Sequence, residues 1–208
     1  MIIAIDGPAA SGKGTLARRL AAHLGRPHLD TGLLYRAVAR AMLDRGEPLE
    51  NPGRATAVAA ALDPDHLGET RLRDREVGEA ASVVSAHPGV RDALLAFQIR
   101  FASRPGGAVL DGRDIGTVVA PNAQVKLYVT ASPEERARRR LRELAAAGEA
   151  PAYETVLADL RQRDDRDAGR AAAPLRVAPD AIVIDTTELG PDEAFAQALA
   201  IVTDRVGA

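Results

Sequence analysis

The chain has 208 residues, 46 % hydrophobic and 27 % charged, enough to bury one full core, and a formal net charge of −2. That balance lacks the basic excess of a general nucleic-acid surface, so no nucleic-acid partner is expected and any anionic ligand must be held by local clusters. The absence of cysteine excludes disulfide and thiolate chemistry.

The first apolar run starts at residue 2, which leaves no room for a signal peptide, and no run reaches membrane-spanning length. A soluble, cytoplasmic, monomeric enzyme with no membrane partner is expected. Lysine is confined to Lys13 and Lys126, and arginine carries nearly all the remaining positive charge. With Asn and Gln scarce, this fits heat adaptation or genome composition equally.

Ile2–Asp6 reads as a buried strand, and it runs into Gly7-Pro8-Ala9-Ala10-Ser11-Gly12-Lys13-Gly14-Thr15 and then a helix. Strand, G-x-x-x-x-G-K and helix in that order define a phosphate-binding loop. Its glycines let successive N–H groups face one anion, the helix adds its positive end, and Lys13 reaches the β- and γ-phosphates. A nucleoside triphosphate is the expected ligand. Gly14 occupies the place where Ser or Thr usually offers a hydroxyl to Mg²⁺. The hydroxyl comes one residue later, on Thr15, acting on the metal directly or through water.

His28–Asp30 is the second strand, followed by Thr31-Gly32-Leu33-Leu34-Tyr35-Arg36. Asp30 or Thr31 can cap the next helix, which puts Tyr35 and Arg36 about one turn in; Arg36 suits a bidentate grip on phosphate. Helical patterns over Leu33–Arg45, Arg54–Leu62, Arg75–Ser85 and Val90–Ser103 then fill a gap far longer than an ordinary crossover, which marks an insertion. The third strand, Ala108–Asp111, ends beside the loop, where Asp111 can organise Mg²⁺ through its waters. Gly112 allows a sharp turn that projects Arg113 and Asp114 toward a second substrate. A fourth strand, Val125–Val129, precedes Arg136, Arg139 and Arg140 at helical spacing. Gly148-Glu149-Ala150-Pro151 separates two helices, the second carrying Arg163-Asp164-Asp165-Arg166-Asp167-Ala168-Gly169-Arg170. In a helix, Arg163, Asp167 and Arg170 share one face, with Asp164 and Asp165 pointing elsewhere. Ala181–Asp185 closes the series as the fifth strand.

Helices alternating with five short apolar strands, four of them ending in Asp, predict a doubly wound parallel five-stranded α/β sheet of the P-loop NTPase type. The expected division is one kinase domain: core 1–30, 104–140 and 171–208, a helical insertion at 31–103 that binds the second substrate, and a short lid at 141–170. No Asn-Lys-x-Asp guanine-reading motif occurs. A small kinase needs both additions, one to bind the acceptor and one to exclude water. His23, His28, His66 and His87 join no constellation and read as structural or surface residues. The alternatives are a kinase for UMP, shikimate or a coenzyme precursor on the same scaffold, or a nucleotide-dependent interaction module.

Gly-Pro-x-x-x-Gly-Lys-Gly-Thr, Asp-Thr-Gly-x-x-Tyr-Arg, Asp-Gly-Arg-Asp-x-Gly-Thr-Val-Val and Arg-x-x-Arg-Asp-x-x-Arg occur in this order over nearly the whole chain. In these motifs the chain resembles the bacterial cytidylate kinases of the nucleoside monophosphate kinase family. The resemblance implies transfer of the γ-phosphoryl group of ATP, with Mg²⁺, to CMP or dCMP. It implies that Ser82, Arg91 and Asp114 read cytosine, that Arg36, Arg113 and Arg170 grip the monophosphate, and that Arg163 and Asp167 contact the sugar near Thr31 and Tyr35. Arg139 resembles the lid arginine on the ATP side. Lys13, Arg113, Arg139 and Arg163 are the implied catalytic charges, and Thr15 and Asp111 the implied metal contacts. Long bacterial members carry a small extra β-sheet in the insertion, whereas here Asp63–Arg73 shows no strand pattern.

Overall fold

Apolar residues with no polar alternation, bounded by turn residues, form strands buried on both faces. A computed structural model describes residues 1–63, 72 and 74–207 and contains five such strands, all parallel. They are β1 (Ile2–Asp6), β2 (His28–Asp30), β3 (Ala108–Gly112), β4 (Val125–Thr130) and β5 (Ile182–Asp185), in the order β2-β3-β1-β4-β5. β3 and β4 each run one residue further than the apolar pattern, and β5 starts one later. The chain leaves central β1, crosses to outer β2 and returns to β3 between them, so the order reverses beside β1, where ligands of such sheets sit. The register pairs Ile5 with Asp111, Asp6 with Gly112 and Asp30 with Asp111. Three strand-terminal aspartates therefore share one edge.

One face of the sheet is covered by α1 (Lys13–His23) and α8 (Pro191–Val206). Leu16, Leu20, Ala198 and Val202 pack there on Ile3, Ile5, Val109 and Leu127. On the other face Leu29 and Leu110 meet Phe101 of α5 (Pro88–Ala102) and Ile115 and Val119 of a short π-helical turn, Ile115–Val119. The helices α2 (Thr31–Asp44), α3 (Pro52–Ala60), α4 (Arg75–Val84) and the first half of α5 bury a separate cluster that includes Leu34, Val38, Met42, Val77, Val84 and Leu94. A fourth, small cluster of Ala137, Leu144, Val156 and Leu160 joins α6 (Pro133–Ala146) to α7 (Tyr153–Ala168).

The helices at 52 and 88 start earlier than their apolar pattern because a proline opens each. Pro52 follows Asn51, whose side chain accepts the Arg54 N–H at 3.1 Å. α7 ends at Ala168 with Gly169 as its C-cap, so Arg170 lies outside the helix rather than on its face, although it still pairs with Asp167. Of the stretch Asp63–Arg73, expected to lack a strand pattern, only Asp63 and Leu72 are described; the rest, with His66, lies outside the described residues. Among the described residues no helix is long and apolar enough to cross a membrane.

Leu110 is fully buried at the centre of the α5-side core. Leu110→Ala should lower unfolding free energy by about 2–5 kcal/mol, measured by urea denaturation with the slope unchanged.

Candidate active site

The loop after β1 is shaped by two glycines. A Cβ on Gly7 would fall 2.0 Å from the carbonyl oxygen of Val129, so no side chain fits, and Gly12 stands at φ +87° as the N-cap of α1. Lys13 folds back over the loop, donating from Nζ to the Pro8 carbonyl at 3.1 Å. A cavity of about 220 Å³ opens above it, walled by Ala9, Gly12, Lys13, Asp111, Arg113 and Arg163, with Asp30, Gly32 and Arg36 at its rim. Loss of hydration pulls the Lys13 ammonium down to about 7 and neighbouring Arg113 adds to this, while Asp111 and Asp30 oppose it.

Asp111 sits at the cavity floor. Its Oδ1 lies 2.7 Å from Nε2 of His28, and its Oδ2 faces Gly14, where a Cβ would come within 3.5 Å. The absence of a side chain at position 14 thus leaves the carboxylate open to the cavity. Thr15 Oγ1, at the cavity edge, accepts from Arg18 at 3.3 Å. Two oxygen donors beside a phosphate cradle, and no cluster of three metal-ligating side chains among the described residues, suit Mg²⁺ held mostly by phosphates and water. His28 therefore has a partner at this site, where the sequence offered none.

A second pocket, about 40 Å³, opens beyond the β3 turn and is lined by Thr31, Tyr35, Ser85, Arg91, Asp114 and Arg170, among others. Buried Arg91 and Asp114 form an ion pair at its wall, and the Arg91 guanidinium also lies 5.4 Å from the Tyr35 ring centre. Thr31 Oγ1 donates to the Asp111 carbonyl at 2.8 Å, tying the start of α2 to β3. Asp167 accepts from Arg113 Nε at 2.7 Å and from Arg170, whose Nη2 also donates to Ser85 Oγ at 2.8 Å. Burial would raise the Asp167 carboxyl, but Arg113, Arg170 and Arg163 hold it down at about 2. Arg163 is pulled down to about 9 by burial and by Arg113, with Asp167 opposing and Arg36 and Arg170 adding to the effect. Arg113, Arg163 and Arg170 thus crowd round one carboxylate, and the surplus positive charge suits an anion.

The structure brings together most of the residues singled out from sequence. Gly7 to Thr15, Asp111, Arg113 and Arg163 meet at the loop, and Thr31, Tyr35, Arg91, Asp114, Asp167 and Arg170 meet next to it. Arg36 reaches toward the loop cavity while donating to the Leu72 carbonyl at 2.9 Å. Ser82 stands apart: among the described residues its buried hydroxyl has no hydrogen-bond partner, and the residue lines a separate cleft of about 540 Å³ between α4 and the α6–α7 pair, with Gly78, Arg140 and Arg163. Ser85, one turn on, lines the smaller pocket instead. Arg139 stands on the far side of the loop, in a cavity of about 410 Å³ with Ser11, Gly12, Thr186 and Leu189. It is held by Glu135 at 3.1 Å and by Thr186 Oγ1 at 2.9 Å.

Three residues to which the sequence reading gave no role, Asp6, Arg136 and Asp164, also belong here. Asp6 Oδ1 and Oδ2 accept the N–H groups of Ile115 and Gly116, each at 2.8 Å. Burial pushes its carboxyl up to about 6, with those amides and Lys13 pulling the other way and Asp114 adding to the rise. Buried Arg136 donates to the Ala131 carbonyl at 3.0 Å, to the Ala9 carbonyl at 3.3 Å, and to both oxygens of Asp164 at 3.1 and 2.6 Å. Asp164 thus points inward, fixing α7 to α6 and the loop. The signal for Asp6 was present in the sequence, as the same strand-ending aspartate that marked Asp111.

A phosphate loop facing a second, cation-lined pocket across one carboxylate defines a kinase that phosphorylates a small acceptor. The fold agrees. A gluconokinase from Sinorhizobium meliloti superposes with a TM-score of 0.51 at 17 % identity, covering 98 % of this chain and 91 % of that one. A sugar kinase from Janibacter sp. gives 0.51 at 16 %, covering 96 % and 92 %. Within that class the chain belongs to the cytidylate kinase family, whose profile matches residues 3–204. It is 66 % identical over 205 residues to a cytidylate kinase of a Methylobacterium species, and 63 % identical over 205 residues to that of Xanthobacter autotrophicus, each alignment covering 99 % of this chain and 98 % of the relative.

The lowered Lys13 gives a signed pH effect. Above pH 7 the free ammonium is largely deprotonated, and triphosphate anions favour its charged form, so nucleotide binding at pH 8 should take up a proton and weaken as pH rises further. Isothermal titration of ATP in two buffers of different ionisation enthalpy should show this uptake, and Lys13→Met should abolish it.

Proposed function

We propose that this chain transfers the γ-phosphoryl group of MgATP to the 5′-phosphate of CMP or dCMP, giving CDP or dCDP and ADP. The observation that carries the acceptor is the buried Arg91–Asp114 pair in a pocket otherwise rich in arginine. A carboxylate accepts from the exocyclic amino group of cytosine, while guanidinium groups donate to O2 and N3. Uracil presents a carbonyl where cytosine has the amine, and a buried carboxylate meets it with repulsion. Ser82, whose buried hydroxyl has no hydrogen-bond partner among the described residues, is the third base contact in this reading. It requires the α4 cleft and the smaller pocket to act as one site.

The donor triphosphate lies along residues 7–15, its base in the cavity beside Arg139. Thr15 and Asp111 would hold Mg²⁺, which would supply positive charge to the transferring phosphates. The acceptor phosphate has a second pKa near 6 and is mostly ionised at neutral pH. No general base is needed. Arg36, Arg113 and Arg170 hold the acceptor phosphate in line, Arg163 and Asp167 meet its sugar, and Lys13, Arg113, Arg139 and Arg163 balance the charge that builds up during transfer. In this reading residues 31–103 form the acceptor-binding insertion, 141–170 the lid that excludes water, and the remainder the core. The enzyme acts as a cytoplasmic monomer.

Coupled ADP-release assays should show CMP and dCMP as strongly preferred acceptors, with UMP, AMP and GMP poor. Equal rates on UMP would overturn the cytosine assignment. Asp114→Ala should lower kcat/KM for CMP by about 10- to 100-fold, the worth of a hydrogen bond to a charged group, with ATP affinity little changed. A matching loss of ATP binding would place Asp114 at the other substrate.

A further inference from the structure

Asp6 ends β1 at the point where the backbone becomes the phosphate loop, since Gly7 follows it directly. Its side chain reaches the turn that follows β3. Both carboxylate oxygens are occupied, Oδ1 by the N–H of Ile115 and Oδ2 by the N–H of Gly116, each at 2.8 Å and each buried. These two amides open the π-helical turn and lie immediately after Arg113 and Asp114. Asp114 itself takes φ −143° and ψ 24°, and its carbonyl accepts from Val118 at 2.8 Å and Val119 at 3.2 Å, so its backbone belongs to that turn. The turn has little slack. A Cβ on Gly112 would fall 2.5 Å from Thr31 Oγ1 and 2.8 Å from Ile115 Cδ1. On Gly116 it would come within 3.2 Å of Lys126 Cδ and 3.3 Å of Asp6 Oδ2.

We propose that Asp6 is a positioning residue for acceptor recognition, its carboxylate fixing the Arg113–Asp114 turn against the strand that carries the donor loop. One residue then sets both substrate sites in a common frame: its backbone fixes where the phosphate loop begins, and its side chain fixes where the base-reading carboxylate and the phosphate-gripping arginine stand. A two-oxygen acceptor is required for this. Serine offers a single uncharged oxygen on a shorter side chain, and asparagine turns a donor NH₂ toward one of the amides. Ionised carboxylate to backbone N–H is also the stronger class of hydrogen bond, which suits a part that must hold position to a fraction of an ångström. Because both carboxylate oxygens are taken up by the turn, its loss is read through Asp114 and Arg113.

The inference rests on Asp114 reading the acceptor base, so wild-type preference for CMP over UMP is measured first; its absence would overturn that reading before any variant is made. Asp6→Asn and Gly116→Ala are then compared with wild type. The first replaces one acceptor by a donor, and the second crowds the same hydrogen bonds without altering β1 or the loop. Expected for Asp6→Asn is a tenfold or greater loss of kcat/KM for CMP. The CMP-to-UMP preference should shrink at least threefold, and the dissociation constant for a non-hydrolysable ATP analogue should stay within twofold. Gly116→Ala should change the same quantities in the same direction by smaller factors, and it carries the test alone if Asp6→Asn does not fold. An unchanged CMP-to-UMP ratio in a folded variant, or loss of ATP-analogue binding in step with CMP turnover, would overturn the proposal.

Discussion

The pairing of β1 with β3 is the constraint on which the rest of the molecule depends. It sets Ile5 beside Asp111 and Asp6 beside Gly112. The donor loop therefore begins at the level where the acceptor turn begins. Shifting that register by one residue would flip the side chains of β3 across the sheet. Asp111 would leave the loop cavity and Leu110 would leave the core. The apolar residues of both strands, fully buried against α1 and α8 on one face and α5 on the other, make such a slip prohibitive. Site geometry is thus held by the hydrophobic core.

Above that edge the site is built from charge in an arrangement that is incomplete without a ligand. Arg113, Arg163 and Arg170 surround Asp167, and the only lysine near the loop is drawn down toward neutrality. Burying like charges together is unfavourable unless something of opposite sign joins them. Using arginine has a further effect, since guanidinium stays charged through the physiological range while its planar fork fixes direction. The same chemistry serves Arg136, which is satisfied without any ligand and ties the loop, α6 and α7 together. The site therefore contains two kinds of arginine, those whose charge the protein has already met and those in surplus.

Most of the fold was legible in the sequence because buried strands and the phosphate loop are local signals. Ile2–Asp6 and Gly7–Thr15 need only each other to be recognised, and Asp111 declared itself by ending an apolar run. What escaped depends on contacts between distant parts of the chain. His28 and Asp111 are 83 residues apart in sequence, and Arg136 meets Ala9 across 127. Ser82 and Ser85 lie one helical turn apart, and only the packing of α4 decides which of them faces Arg91. The helical continuation to Arg170 failed for a local reason: Gly169 caps α7 and the chain turns off before the arginine.

The separate apolar cluster inside α2–α5 also decides how those helices meet their neighbours. They shield their own hydrophobic residues, as α6 and α7 shield theirs. Among the described residues, polar links across this boundary include Arg75 to Asp159 at 2.6 Å, partly exposed, and Arg170, just past α7, to Ser85 at 2.8 Å. An exposed ion pair of this kind contributes about 0–1 kcal/mol. α5 belongs to both bodies, with Leu94 in the α2–α5 cluster and Phe101 against the sheet. One continuous helix, with no loop between its two halves, therefore ties the two cores together, and a change of packing at either core is felt directly at the other.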